Sequence, residues 1–224
     1  MELDGVSVRL GGRDVLRGVS VRVDARRIAV VGANGSGKST FARLLNGLVA
    51  PVSGSVHVHG LDVARQTRAV RQRVGFVFTD PDAQILMPTA AEDVALSLRG
   101  TGRTRAEIAD RTREILAEHG LADLADVPAY SLSGGQKQLL ALCSVLVRGP
   151  RLVVADEPTT LLDLRNARRI GDLLIDGLEA QTVIVTHDLT LARRADVALR
   201  FEDGRLLEVG RPAEVVARYE RDHG

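Results

Sequence analysis

Gly32-Ala33-Asn34-Gly35-Ser36-Gly37-Lys38-Ser39-Thr40 is the stretch on which the fold of this chain turns. Its spacing fits Gly-x-x-x-x-Gly-Lys-Ser/Thr, a loop that wraps a phosphate. The flanks are those the motif needs. Ile28-Ala29-Val30-Val31 is a short, mostly β-branched run ending at Gly32, and Phe41-Ala42-Arg43-Leu44-Leu45 continues with helical spacing. Glycines let the backbone turn its N–H groups inward, and the helix start adds the positive end of a dipole. In that setting Asn34, Gly35, Ser36, Gly37 and Thr40 belong to the cradle. Lys38 reaches the β- and γ-phosphates, and the Ser39 hydroxyl ligates Mg²⁺. A Gly-rich turn with a surface lysine is the bland alternative, and it explains neither flank. These residues imply a nucleoside triphosphate as ligand.

The composition narrows the classes. A chain of 224 residues suits one domain or two closely packed lobes. A formal charge of +1 with 3% aromatics and no tryptophan gives little support to a nucleic-acid platform. The single cysteine, Cys143, lies in an apolar helical run and reads as inert core; it excludes an internal disulfide. Met1-Glu2-Leu3-Asp4 has neither the basic nor the apolar region of a secretory signal. No apolar run reaches the ~18 residues of a membrane span, so the expectation is a soluble protein whose membrane contact goes through a partner. Only Lys38 and Lys137 are lysines among the 30 basic residues. A lysine kept inside the loop fits a position where a compact ammonium enters among phosphate oxygens and a planar guanidinium would crowd them.

Upstream, Val6, Val8 and Leu10 share a face, and Val19, Val21 and Val23 repeat the alternation after Gly11-Gly12-Arg13-Asp14, predicting strand, turn, strand. Downstream, Gly47 and Pro51-Val52-Ser53-Gly54 mark a break, and Ser55-Val56-His57-Val58-His59-Gly60 alternates again. His57 and His59 are expected on the wet face of that strand, since no third metal ligand lies near them. Val74 to Phe78 reads as a strand. Thr89-x-x-Glu92 and Thr104-x-x-Glu107 both fit capping boxes, and residues 85–148 look all-helical. Leu132-Ser133-Gly134-Gly135-Gln136 opens an apolar helix. Ser133 there is either a plain N-cap or part of a second anion site, because free N–H groups at a helix start favour phosphate.

Leu152-Val153-Val154-Ala155-Asp156-Glu157 reads as a buried parallel strand delivering two acids at its carboxyl edge, where ligands bind in open α/β sheets. Asp156 fits the Mg²⁺-holding carboxylate, and Glu157 is placed to polarise a water attacking the γ-phosphate. Thr182 to Val185 repeats the design and presents His187. Val197 to Phe201 and Arg205 to Val209 form a closing pair around Asp203-Gly204, with a last helix over 213–221.

Taken in order, these pieces resemble the nucleotide-binding subunit of an ABC transporter over essentially the full chain. The resemblance implies a P-loop NTPase (RecA-like) α/β core with an antiparallel β subdomain and an inserted α-helical subdomain, the core over about 1–84 and 149–224 and the helices over about 85–148. Gly32 to Thr40 is then Walker A, Leu152 to Glu157 Walker B, Leu132 to Gln136 the signature, Asp163 part of the D-loop, and His187 the switch histidine. It further implies a head-to-tail dimer, with Ser133, Gly135, Gln136 and Asp163 of one subunit completing the ATP site of the other, and hydrolysis by Glu157, His187 and Lys38. Phe76 to Gln84, followed by Pro88-Thr89, resembles the energy-coupling-factor group, importers of vitamins and transition-metal ions. The Asp24-Ala25-Arg26-Arg27-Ile28 lead-in is most similar to biotin-transporter ATPases. Implied partners are a second ATPase subunit (a homodimer favoured), a transmembrane scaffold and a substrate-capture membrane protein, at the cytoplasmic face of the membrane. Alternatives are the ATPase of another importer (cobalt, nickel or another small solute) and a soluble non-transport ABC ATPase. Two positions depart from the pattern: Leu10 falls where an adenine-stacking aromatic is usual, and Thr79 falls on the Q-loop glutamine that meets Mg²⁺.

Overall fold

The computed structural model describes residues 1–223. The chain begins with the hairpin β1 (Glu2–Leu10) and β2 (Arg13–Arg22), followed by β3 (Arg27–Gly32), α1 (Lys38–Leu45), β4 (Ser53–Val58) and β5 (Leu61–Asp62). Then come α2 (Thr67–Arg73), β6 (Val74–Val77), and the helices α3 (Ala90–Ser97), α4 (Arg105–Glu118) and α5 (Gly134–Leu146). The remainder is β7 (Leu152–Asp156), α6 (Leu164–Asp172), β8 (Gln181–Val185), α7 (Leu189–Ala192), β9 (Val197–Glu202), β10 (Arg205–Gly210) and α8 (Pro212–His223).

Two sheets result. A six-stranded sheet runs β10-β9-β3-β8-β7-β6, parallel except for β10, and an antiparallel four-stranded sheet runs β2-β1-β4-β5. Strands β3 and β7 are buried at every position, which is why they read as continuous apolar runs rather than alternating ones. Their period of two still sorts the side chains. Ile28, Val30, Val154 and Val185 face α1 and the antiparallel sheet, whereas Val153, Ala155 and Ile184 face α3–α5. Ala29 and Val31 meet α8 through Val215 and Val216. On the α1 side, Phe41 is fully buried with its ring 5.0 Å from that of Phe201, an anchor whose truncation to alanine would cost roughly 3–5 kcal/mol.

Both capping boxes form, Thr89 with Glu92 and Thr104 with Glu107, so α3 and α4 start where their sequences say. Cys143 is buried on α5, and burial pushes its thiol up to about 12, as inert core requires. The unusual Arg26-Arg27 lead-in has a structural use. Arg27 is 5% exposed, and its guanidinium donates to the carbonyls of Ile175, Leu178 and Ala180, beyond α6. It satisfies carbonyls that the end of that helical segment leaves free.

Two details of the alternation differ from expectation. Leu10 is 43% exposed although Val6 and Val8 are buried, because it pairs with Arg13 at the hairpin tip, past the edge of the core. His59 lies outside the strand, since β4 ends at Val58 and His59 opens the turn at φ 48, though it still lines one open hollow with His57.

Candidate active site

The carboxyl edge of the parallel sheet collects the groups that the sequence singled out. β3 ends in the glycine loop, β7 in Asp156, and β8 runs between them toward His187. A hollow of about 240 Å³ opens there, lined among others by Val15, Asn34, Gly35, Lys38, Ser39 and Glu157. Gly37 takes φ 101 at the helix start, and a Cβ there would stand 2.6 Å from Leu16 Cδ2, so the antiparallel sheet packs directly under the loop. The loop is hooked from the other side by Gly204, whose N–H donates to the Ser36 carbonyl at 3.1 Å.

Lys38 is 6% exposed, and its ammonium donates to the carbonyls of Gly32 and Ala33 at 2.8 and 2.9 Å. Burial pulls its pKa below the ordinary lysine value, opposed by the carboxylates of Glu157 and Asp156. A polyphosphate would add negative charge beside it and hold the ammonium charged. Ser36 Oγ is buried without a partner, a polar atom inside the loop that satisfies nothing in the protein.

Ser39 Oγ donates to Asp156 Oδ1 at 2.8 Å. Asp156 is 1% exposed, and burial raises its pKa, offset in part by the Ser39 hydroxyl and the Arg43 cation. This pair suits Mg²⁺, a hard ion that takes one or two protein oxygens and fills its octahedron with water and phosphate. Among the described residues no group of three or more His, Cys, Asp or Glu is placed to hold a metal ion. Thr79 Oγ1 donates to the backbone carbonyl of Asp156 at 2.8 Å, so it meets Asp156 through the main chain and not at the carboxylate.

Glu157 follows at φ 52, a left-handed conformation uncommon for a non-glycine residue. Its Oε2 lies 2.6 Å from His187 Nδ1, and it accepts from Thr160 Oγ1 at 3.0 Å and the His187 N–H at 3.4 Å. An ionised carboxylate only accepts, which assigns the ring proton to Nδ1. All three contacts end on Oε2, leaving Oε1 to take a proton.

Ser133, Gly135, Gln136 and Asp163 are not among the residues lining this hollow. They form a second cluster. Ser133 caps α5 reciprocally with Gln136, whose Oε1 accepts the Ser133 N–H at 2.8 Å. Asp163 caps α6 and binds Asn166 Nδ2 at 2.8 Å; a Cβ on Gly135 would collide with that same Asn166. The starts of α5 and α6 therefore touch each other, away from the glycine loop of their own chain.

Two neighbours of the site were given no role of their own from the sequence. Arg43 places Nη2 3.7 Å from Asp156 Oδ2; it lies four residues after Ser39 on α1, and that helical spacing was signal enough. Thr160, three residues after Glu157 in an irregular turn, carries no such periodicity.

Comparison with known proteins identifies the family. The family model described as "ABC transporter" matches residues 16–160. The chain is 42% identical, over 98% of its length and 97% of the other's, to the biotin transport ATP-binding protein BioM of Rhizobium etli. Among solved structures it superposes on CbiO1 of Clostridium perfringens, part of the ABC transporter complex CbiONQ, with TM-score 0.86 and 29% identity over 98% of this chain and 91% of that one. It also superposes on MJ0796, a dimeric ATP-binding cassette bound to ADP and Pi, with TM-score 0.82 and 28% identity over 94% and 98% of the two chains.

Proposed function

The chain belongs to the ABC transporter family as an ATP-binding ATPase, and from that premise we propose that it energises an importer of the energy-coupling-factor type. Similarity to BioM and CbiO1 across nearly the whole chain carries this reading, with biotin the favoured cargo and a transition-metal ion the alternative.

The residues divide the work. The loop N–H groups and Lys38 hold the triphosphate, and Asn34 to Thr40 fix its register. Ser39 and Asp156 would hold Mg²⁺, which would supply positive charge against the phosphate oxygens. Glu157 accepts the proton of the attacking water at Oε1, while His187 and Thr160 keep the carboxylate aimed. Lys38 stands against the charge that develops on the phosphate oxygens. Among the described residues the hollow is lined from the glycine-loop side and stays open on its outer side. Two copies arranged head to tail would set Ser133, Gly135, Gln136 and Asp163 of each over the hollow of the other, and a homodimer suffices because both clusters are present in one chain.

Among the described residues no helix is long and apolar enough to cross a membrane, so the energy must reach a transmembrane scaffold and a capture protein through contact at the cytoplasmic face. Residues 78–88 fit that contact. Leu86 is 73% exposed, while the Leu86 and Met87 N–H groups are pinned by the buried Asp93 at 2.8 and 3.2 Å. Beside the start of α3 a groove of about 620 Å³ runs against α4, lined in part by Thr112, whose buried hydroxyl has no partner. Cysteine at Ile85 or Met87 tests the contact in a reconstituted complex, with Cys143 silent as a buried thiol. Cross-linking to the scaffold should differ between nucleotide states; none in any state of a transporting complex would rule the surface out.

A further inference from the structure

One ion pair joins two segments far apart in sequence. Lys137 Nζ stands 2.7 and 3.0 Å from the two carboxylate oxygens of Asp82. Its side chain is 16% exposed against 64% for Asp82. Lys137 sits in the first turn of α5, where a cation opposes the helix dipole, and no acidic residue of that turn compensates. The compensating charge comes instead from the short turn Pro81–Ala83 after β6.

The surrounding contacts give the pair a direction. Lys137 N–H donates to the Ser133 carbonyl at 2.8 Å, so one residue links Asp82 to the signature serine. Gln84 Nε2 donates to the Ala141 carbonyl at 3.0 Å and Gln138 Nε2 to that of Phe78 at 3.4 Å, so this segment rides on α5. At its other end Thr79 holds the Asp156 carbonyl. A continuous path thus runs from Asp156 through Thr79 and residues 80–82 to Lys137 and Ser133. Asp156 serves the triphosphate site of its own subunit; Ser133, on the reading above, serves that of the partner.

We infer that the Lys137–Asp82 pair is a latch coupling the two triphosphate sites of the dimer, with Lys137 a positioning residue that acts through Asp82 and Ser133. This inference rests on the signature acting across the dimer. A partly exposed ion pair is worth at most about 1 kcal/mol, too little to hold the fold, which the buried Leu139, Leu140 and Leu142 of α5 do. It is enough to change a rate about fivefold.

The test uses the full chain with ATP and Mg²⁺ and the variants Lys137→Gln, Asp82→Asn, the exchange Lys137→Asp/Asp82→Lys, and Ser133→Arg. Each single substitution should lower the maximal hydrolysis rate about fivefold. The ATP concentration at half-saturation should stay unchanged, since the glycine loop is untouched, and the melting temperature should fall by no more than about 2–4 °C, the worth of a partly exposed pair. The exchange should recover at least half of the lost rate; a pair that served only the fold would lower the melting temperature when broken and leave the rate unchanged. If Ser133→Arg keeps full activity, the trans-acting signature fails and the latch with it. If Ser133→Arg is inactive but both singles hydrolyse at the wild-type rate, or the exchange restores nothing, the latch alone is overturned.

Discussion

Glu157→Gln probes the catalytic reading most directly, because the geometry fixes which way the new amide must face. Thr160 Oγ1, His187 Nδ1 and the His187 N–H all converge on Oε2. In the variant the amide oxygen keeps those donors only by occupying the Oε2 side, which forces the NH₂ group onto the Oε1 side. A donor then faces the water in place of the acceptor that should take its proton. General bases are worth roughly 10²–10⁴-fold, and with the amide locked this way the loss should fall in the upper part of that range. Three to four decades correspond to about 4–5.5 kcal/mol of barrier. His187→Ala leaves the carboxylate intact and held by Thr160, so its loss should be smaller, roughly 10–100-fold. The double variant should be no slower than Glu157→Gln alone, since aiming an absent base does nothing. Phosphate release at saturating ATP and Mg²⁺ measures all three, with affinity for a fluorescent ATP analogue as the control that binding survives. A Glu157→Gln enzyme within tenfold of wild type, or a double variant slower by the product of both single effects, would refute the assignment.

Lys38→Ala should abolish ATP binding by removing the ammonium beside the glycine-loop carbonyls, whereas Ser133→Arg should bind ATP as a monomer and fail to hydrolyse it; mixing the two should restore at most one working site per dimer, read as phosphate release against mixing ratio. Asp156→Asn should stabilise the nucleotide-free protein at neutral pH while ending Mg²⁺-dependent turnover. Burial raises the Asp156 pKa, so the folded state holds that proton more tightly than the unfolded chain. Its contribution is therefore full below the ordinary carboxylate value of about 4 and is lost as pH rises through the folded pKa. The melting temperature of the variant should exceed that of wild type by about 2–4 °C per kcal/mol at pH 7, and the gap should close toward pH 4; no gap at pH 7 would mean that Arg43 and Ser39 already compensate the buried charge. Leu10→Tyr should tighten ATP and sharpen preference over GTP if the hairpin tip reaches the base, as dissociation constants would reveal.

What could be read in the sequence was what depends on neighbours along the chain. The glycine loop declared itself because strand, turn and helix signals are consecutive, and both capping boxes because Thr and Glu lie within one helical turn. Asp156 and His187 were legible as strand-end residues, since parallel strands deliver their next residues to a common edge. The pairing of Glu157 with His187 joins residues 30 apart, and that of Lys137 with Asp82 residues 55 apart. Neither has a local pattern. Leu10 misled for the converse reason: alternation persists in sequence after the strand has left the core, and only register shows where it ends.

The left-handed backbone at Glu157 bears on how this protein would respond to selection. Asparagine and glycine occupy that conformation with less strain than glutamate, and residues held there cost of order 1 kcal/mol or more. In a saturation library at position 157 screened only for soluble expression, those two residues should be enriched above the parent. In the same library screened for growth that depends on transport, glutamate alone should survive. Opposite winners at one codon would mark a place where evolution has kept a locally disfavoured backbone for the sake of a single oxygen atom.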